Sequence, residues 1–153
     1  MLIVDIPGAG GLRLEHLVLD LNGTLTDRGR LIDGVGERMQ RLRADLHLRL
    51  LTADTFGTAA ELAQRLGIEI ATISGGEEKA RVVAGLGPEA TVAIGNGRTD
   101  VPMLRAAAIG LVVLGPEGAA ASALTAADLV CRSITDALDL LLDPRALAAG
   151  LRP

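Results

Sequence analysis

The chain contains no tryptophan, no tyrosine and a single phenylalanine, so its interior cannot be assembled around large rings. Apolar residues nonetheless make up 49%, and a core of Leu, Val, Ile and Ala in close contact suits helices laid on a parallel sheet. With one cysteine, Cys131, no internal disulfide can form. Long apolar runs are missing as well: the stretch 106–114 is broken by Gly110 and falls well short of the roughly 20 residues that span a bilayer, so no membrane partner is expected. The start, MLIVDIPGAGG, lacks the charged opening and extended apolar segment of a signal peptide, and a cytoplasmic location is expected. Basic residues occur singly and the formal charge is -4. Such a surface does not attract a polyanion, so nucleic acid is not expected as a partner.

What is present is an alternation of short apolar runs with helical stretches of about ten residues, the pattern of repeated βαβ units. Within 153 residues one domain is expected, with an α/β, doubly wound, mainly parallel sheet. Strands are predicted over 17–21, 46–52, 69–73, 91–95, 110–114 and 128–131. Helices are predicted over 35–44, 58–66, 77–85, 101–108, 119–124 and 135–142, and 143–153 reads as a short helix with a loose tail. Residues 2–6 and 12–15 flank a Pro-Gly-Ala-Gly-Gly turn and form either a small hairpin or an added edge strand. Leu138, Leu141 and Leu142, at helical spacing, are expected to face the core.

One strand, His16-Leu17-Val18-Leu19, runs into Asp20-Leu21-Asn22-Gly23-Thr24-Leu25-Thr26, which puts a carboxylate at the carboxyl edge of the sheet, where ligands of open α/β folds bind. A carboxylate there can attack phosphorus and form an aspartyl phosphate; taken alone, Asp20 equally suits a turn cap. The next strand ends Leu50-Leu51-Thr52-Ala53-Asp54-Thr55, offering the Thr52 hydroxyl and the N–H groups that follow, from Ala53 onward, to phosphate oxygens. Lys79 lies early in a helix, where its ammonium can balance nucleophile and phosphoryl charge; alone it reads as a solvated lysine. The turn Gly95-Asn96-Gly97-Arg98-Thr99-Asp100 carries two oxygen-bearing side chains four positions apart. With Asp20, Asn96 and Asp100 suit a hard cation such as magnesium, although a capped helix start explains the turn by itself.

In order, Asp-Leu-Asn-Gly-Thr-Leu, Thr52, Lys79 and Gly-Asn-Gly-Arg-Thr-Asp resemble the four motifs of the haloacid dehalogenase superfamily. The strings 16–20, 51–58 and 136–142 are similar to its soluble, P-type-ATPase-like branch. The resemblance implies a three-layer Rossmann-like core and a magnesium-dependent phosphatase with Asp20 as nucleophile. It further implies Thr52 and Lys79 as phosphate stabilisers, Asn96 and Asp100 as metal-site residues, the Asn22 main-chain carbonyl as a further magnesium ligand, and Thr24 as a support of the nucleophile loop and part of the phosphate site.

The sequence departs from that pattern at two places. Most phosphatases of the superfamily have a second Asp two residues after the nucleophile, serving as general acid and base, whereas this chain has Asn22. An amide does not titrate in this range, and such proton transfer contributes about 10²- to 10⁴-fold in rate, so slow turnover is expected. Asp27 and Asp54 are candidate substitutes. Asn96 stands where many relatives have Asp, which removes one negative charge from the metal site. Lys79 follows Thr52 by only 27 residues, leaving no room for a cap domain there, and the interval from Asp20 to Leu46 is filled by a loop and a helix. An uncovered site on an Ala- and Leu-rich chain favours a homo-oligomer. The reading is a phosphatase acting on a phosphorylated substrate; the alternatives are a non-catalytic phosphate-binding or regulatory module and an assembly protein without a ligand.

Overall fold

The computed structural model describes residues 1–53 and 57–153. The chain opens on an antiparallel hairpin, β1 (Leu2–Ile6) and β2 (Gly10–Leu14), with Leu2 opposite Leu14 and Ile6 opposite Gly10. This hairpin is a sheet of its own and not an edge strand of the main one. Its apolar side, Leu2, Val4, Ile6 and Leu14, is buried in the principal core, which commits that face to packing under helices and away from lateral pairing.

The apolar run that follows becomes β3 (His16–Asp20), and the loop after it winds around one atom. The Leu21 carbonyl accepts from the N–H groups of Thr24, Leu25 and Thr26 at 3.2, 2.9 and 3.2 Å. A minimal hairpin, β4 (Thr26–Asp27) and β5 (Arg30–Leu31), comes next. Its turn places Arg28 at φ 47° and Gly29 at φ 81°, the left-handed pair of a two-residue turn whose twist matches its strands. Strands of two residues carry no alternation to detect, and this element was not expected from the sequence.

The remainder alternates helix and strand: α1 (Val35–Leu42), β6 (His47–Thr52), α2 (Ala59–Leu66), β7 (Glu69–Thr72), α3 (Gly76–Leu86), β8 (Thr91–Gly95), α4 (Val101–Ala106), β9 (Ile109–Val113), α5 (Ala121–Ala126), β10 (Leu129–Cys131), α6 (Ile134–Leu142) and α7 (Pro144–Gly150). The last two helices start on side-chain caps: Ser133 Oγ accepts from the Asp136 N–H at 3.1 Å, and Asp143 accepts from Arg145 and Ala146, with Pro144 in the first turn.

The six strands of the main sheet pair in parallel in the order β10-β9-β8-β3-β6-β7. The chain builds outward from β3 through β6 to β7, then returns to the other side of β3 for β8, β9 and β10. The reversal therefore falls between β3 and β8, and it opens a crevice at their carboxyl ends. Side-chain alternation separates two cores. Leu17 and Leu19 of β3 and Val92 and Ile94 of β8 join Met39 of α1, Leu62 of α2 and Leu138 of α6 on one face. Val18, Ala93 and Val112 join Val83 of α3, Met103 and Leu104 of α4 and Ala123 of α5 on the other. This is a doubly wound, three-layer α/β arrangement, and Leu138 and Leu141 are buried with Leu142 packed beside them. Among the described residues no inserted cap domain follows β3 or β6, and no helix is long and apolar enough to cross a membrane.

Candidate functional site

β3 is the hub because it lies between β6 and β8, so the loops that leave these three strands meet over its end. Asp20, Asn22, Thr52, Ala53, Lys79, Asn96 and Asp100, from four separate segments of sequence, line one cavity of about 280 Å3, with Ile73, Ser74, Gly75, Gly97, Thr99 and Glu117 completing its wall. Thr24 does not line it. This residue is fully buried beneath the floor, where its hydroxyl is 3.3 Å from Asp20 Oδ2 and 3.1 Å from Asn96 Oδ1, so it orients two cavity side chains from behind. Asp27 also stays outside the cavity, paired with Arg28 at 3.2 Å. Asp54 lies outside the described residues, and the N-cap position of α2 is taken by Thr58.

Lys79, in the first turn and a half of α3, extends beneath the loop that follows β3. Its Nζ donates to Asp20 Oδ1 and to Asp100 Oδ1, each at 2.7 Å, with 5% of the side chain exposed. Asp100 turns its other oxygen onto the backbone and accepts from the N–H groups of Asn96 and Gly97 at 2.9 and 2.8 Å. Gly95 makes this possible: a Cβ there would lie 2.5 Å from the Asp100 carboxyl carbon. In the loop after β3, Gly23 adopts φ 76°, a left-handed turn that L side chains rarely enter. Asn96 is held at both ends of its amide, Nδ2 donating to the Gly118 carbonyl at 3.0 Å and Oδ1 accepting from Thr24.

Two carboxylates facing one ammonium leave one negative charge uncompensated. Burial and the neighbouring Asp100 push the Asp20 carboxyl up to about 6, against the pull of Lys79 and of the Leu21 N–H. Burial works against the Lys79 ammonium too, but Asp20 and Asp100 outweigh it and hold Lys79 above its ordinary value. Asn22 Oδ1 is buried and has no hydrogen-bond partner among the described residues. Oxygen donors, excess negative charge and an unsatisfied buried acceptor fit a hard divalent cation, which takes carboxylates, carbonyls and waters together. No group of three or more His, Cys, Asp or Glu side chains converges among the described residues, so water and a bound phosphate would have to complete the shell.

Ile73, Ser74, Gly75, Thr99 and Glu117 were not among the residues singled out from the sequence. Glu117 had a usable signal: it follows an apolar strand at the same sheet edge as Asp20, inside Gly115-Pro116-Glu117-Gly118, which reads only as a turn until the strand order is known.

No protein-family model matches the chain. An uncharacterised protein of Methanocaldococcus jannaschii is 44% identical over 61 residues, a match that takes in 40% of this chain and 66% of that protein's length. Among solved structures, the cobalt-bound form of deoxy-D-mannose-octulosonate 8-phosphate phosphatase from Haemophilus influenzae superposes with a TM-score of 0.73 at 19% identity, covering 90% of this chain and 92% of the other. The 3-deoxy-D-manno-octulosonate 8-phosphate phosphatase of Moraxella catarrhalis, in complex with magnesium, phosphate and KDO, gives 0.70 at 18% identity over 89% and 90%. A phosphoserine phosphatase in apo form gives 0.69 at 11% identity, over 86% of this chain and 99% of the other. The chain has the haloacid-dehalogenase-like fold in a small, capless form.

Proposed function

We propose that the protein is a magnesium-dependent phosphomonoester hydrolase, a single catalytic domain acting in the cytoplasm through an aspartyl phosphate on Asp20. The observation that carries this reading is the Lys79 ammonium, 2.7 Å from both Asp20 and Asp100 at the point where strand order reverses. A solvated lysine has no need of two carboxylates, one of them fully buried, while a nucleophile beside an incoming phosphate dianion needs a fixed positive charge. The fold neighbours named as phosphatases of a sugar-acid phosphate and of phosphoserine support a phosphomonoester as the substrate class. The similarity of the motifs to the P-type-ATPase-like branch supports a capless enzyme whose open site is completed by assembly into a homo-oligomer.

In this mechanism Asp20 attacks phosphorus in line with the departing oxygen. Thr52, the Ala53 N–H and Lys79 hold the phosphoryl oxygens, and Lys79 keeps Asp20 ionised at neutral pH. Asp20, the Asn22 carbonyl, Asn96 and Asp100 would hold magnesium, which when bound offsets the repulsion between carboxylate and phosphate. Asn22 has no proton to give the leaving oxygen, so esters whose leaving group is stable as an anion should react fastest. Water must then displace phosphate from Asp20 without a base at position 22, and this limits turnover.

The test is phosphate release from an activated aryl phosphate with magnesium, for wild type beside Asp20→Asn. Turnover by wild type alone is the expected result, and equal traces for the two proteins would end the catalytic reading. Asn22 favours a second reading, a phosphate-binding module that keeps the geometry without turnover. Binding of beryllofluoride with magnesium in the absence of any hydrolysis would select it.

A further inference from the structure

Glu117 has no part in the mechanism above; the residue is exposed, yet the turn that carries it is closely held. The turn that carries it closes with the Gly118 N–H donating to the Gly115 carbonyl at 2.9 Å. It is seated directly on the nucleophile loop, since a Cβ at Gly115 would lie 2.1 Å from the Gly23 carbonyl oxygen. It is also fastened to Asn96, whose Nδ2 donates to the Gly118 carbonyl at 3.0 Å and whose carbonyl accepts from the Ala120 N–H at 2.8 Å. The Glu117 carboxylate folds back over Gly23: a Cβ on that glycine would meet Glu117 Oε2 at 2.5 Å and Asn96 Nδ2 at 2.9 Å. It faces the cavity of Asp20 and Asn22, and among the described residues no hydrogen bond or ion pair engages it.

An unpaired carboxylate beside a cavity that already carries excess negative charge raises the cost of leaving that cavity without a cation. The neutral amide of Asn96, immediately below, contributes no charge of its own to a bound ion. We propose that Glu117 supplies this charge from the neighbouring turn, accepting a hydrogen bond from a water on the divalent ion and so raising the site's affinity for it. Magnesium retains several waters in protein sites, and partners of that kind typically change metal affinity 10- to 100-fold when removed. The inference rests on the metal-dependent reading of the site but not on turnover.

The experiment measures Mn2+ binding to the full chain, by the electron paramagnetic resonance signal of the free ion, for wild type, Glu117→Gln, Asn96→Asp and the double variant. Glu117→Gln should weaken binding by about 10-fold or more, as for lost water-mediated partners, and Asn96→Asp should strengthen it. With Asp at position 96, loss of Glu117 should cost less than about threefold, because the two carboxylates then do the same work. Affinity within about twofold of wild type in Glu117→Gln, or the same loss in both backgrounds, overturns the proposal. Wild-type turnover together with unaltered Mn2+ binding in Glu117→Gln removes the role of Glu117 alone, whereas a wild-type chain that binds no Mn2+ removes the metal-dependent enzyme as well.

Discussion

At Asp20 burial and the adjacent Asp100 act in the same direction, and together they hold its carboxyl near 6 against the pull of Lys79. An unfolded chain releases this proton near 4. Between those values the folded form keeps a proton that the unfolded form has lost, so for this group stability falls as pH rises from about 4 to 6 and stays reduced above that. Asp20→Asn keeps the shape without the charge. In the absence of divalent metal it should therefore stabilise the protein at pH 7.5, by up to about 3 kcal/mol, and the gain should fade below pH 4, as read by urea unfolding at the two pH values. Asn22 gives a prediction of opposite consequence for activity. Asn22→Asp places a titratable group two residues after Asp20 and, on the proposed mechanism, should raise turnover of aryl phosphate about 10²-fold or more; a fall would mean that Asn22 is a ligand in its own right and not a missing acid. Asp20, Thr52, Lys79 and Asp100 were legible because each ends a strand or opens a helix in a fixed order. Thr24 was given both a supporting role in the loop after Asp20 and a place in the phosphate site; its hydroxyl lies behind Asp20 and Asn96, outside the cavity.

At the scale of elements, strand and helix bounds lie close to those read from the sequence because alternation and helical spacing are strong here. The two cores explain why: every residue of β8 and β9 is buried on one face or the other, which yields continuous apolar runs bounded by glycine. Pairing between strands carries information that the sequence did not show. His16 and His47 sit opposite each other on β3 and β6, with ring centroids 5.6 Å apart. Burial, then the His47 ring, with Arg49 adding to them, lower the pKa of His16, while Glu15 and Glu69 oppose the shift. The unfolded chain thus takes up this proton at a higher pH than the folded one, and the His16 contribution to stability is full above about 6.5 and is lost as pH falls from there through the lower folded value. Replacement by a neutral amide, His16→Gln, should flatten the loss of stability between pH 7.5 and 5.5 relative to wild type, in thermal melts of the metal-free protein.

For the whole molecule, the order of strands matters more than any single contact. Because the chain turns back at β3, the cavity is walled by loops from both halves of the sheet, and a ligand bound there joins segments separated by most of the sequence. A ligand that binds only the folded form stabilises it by about 2.7 kcal/mol at 100 times its dissociation constant, which for a chain of this size is a rise of about 5 to 10 °C in melting temperature. Magnesium with beryllofluoride should produce a rise of this order in wild type and none in Asp20→Asn, where a neutral amide replaces the anionic carboxylate. Neither ion alone should reach the same value.

Lys79 is the only lysine in the chain, and it is enclosed between two acids in the cavity wall. The outer surface therefore offers no lysine amine to acetylating enzymes, to protein tags conjugated through isopeptide bonds, or to amine-coupling reagents used for immobilisation. Any such chemistry that did reach a lysine would have entered the cavity, and it would be blocked there by whatever occupies that space.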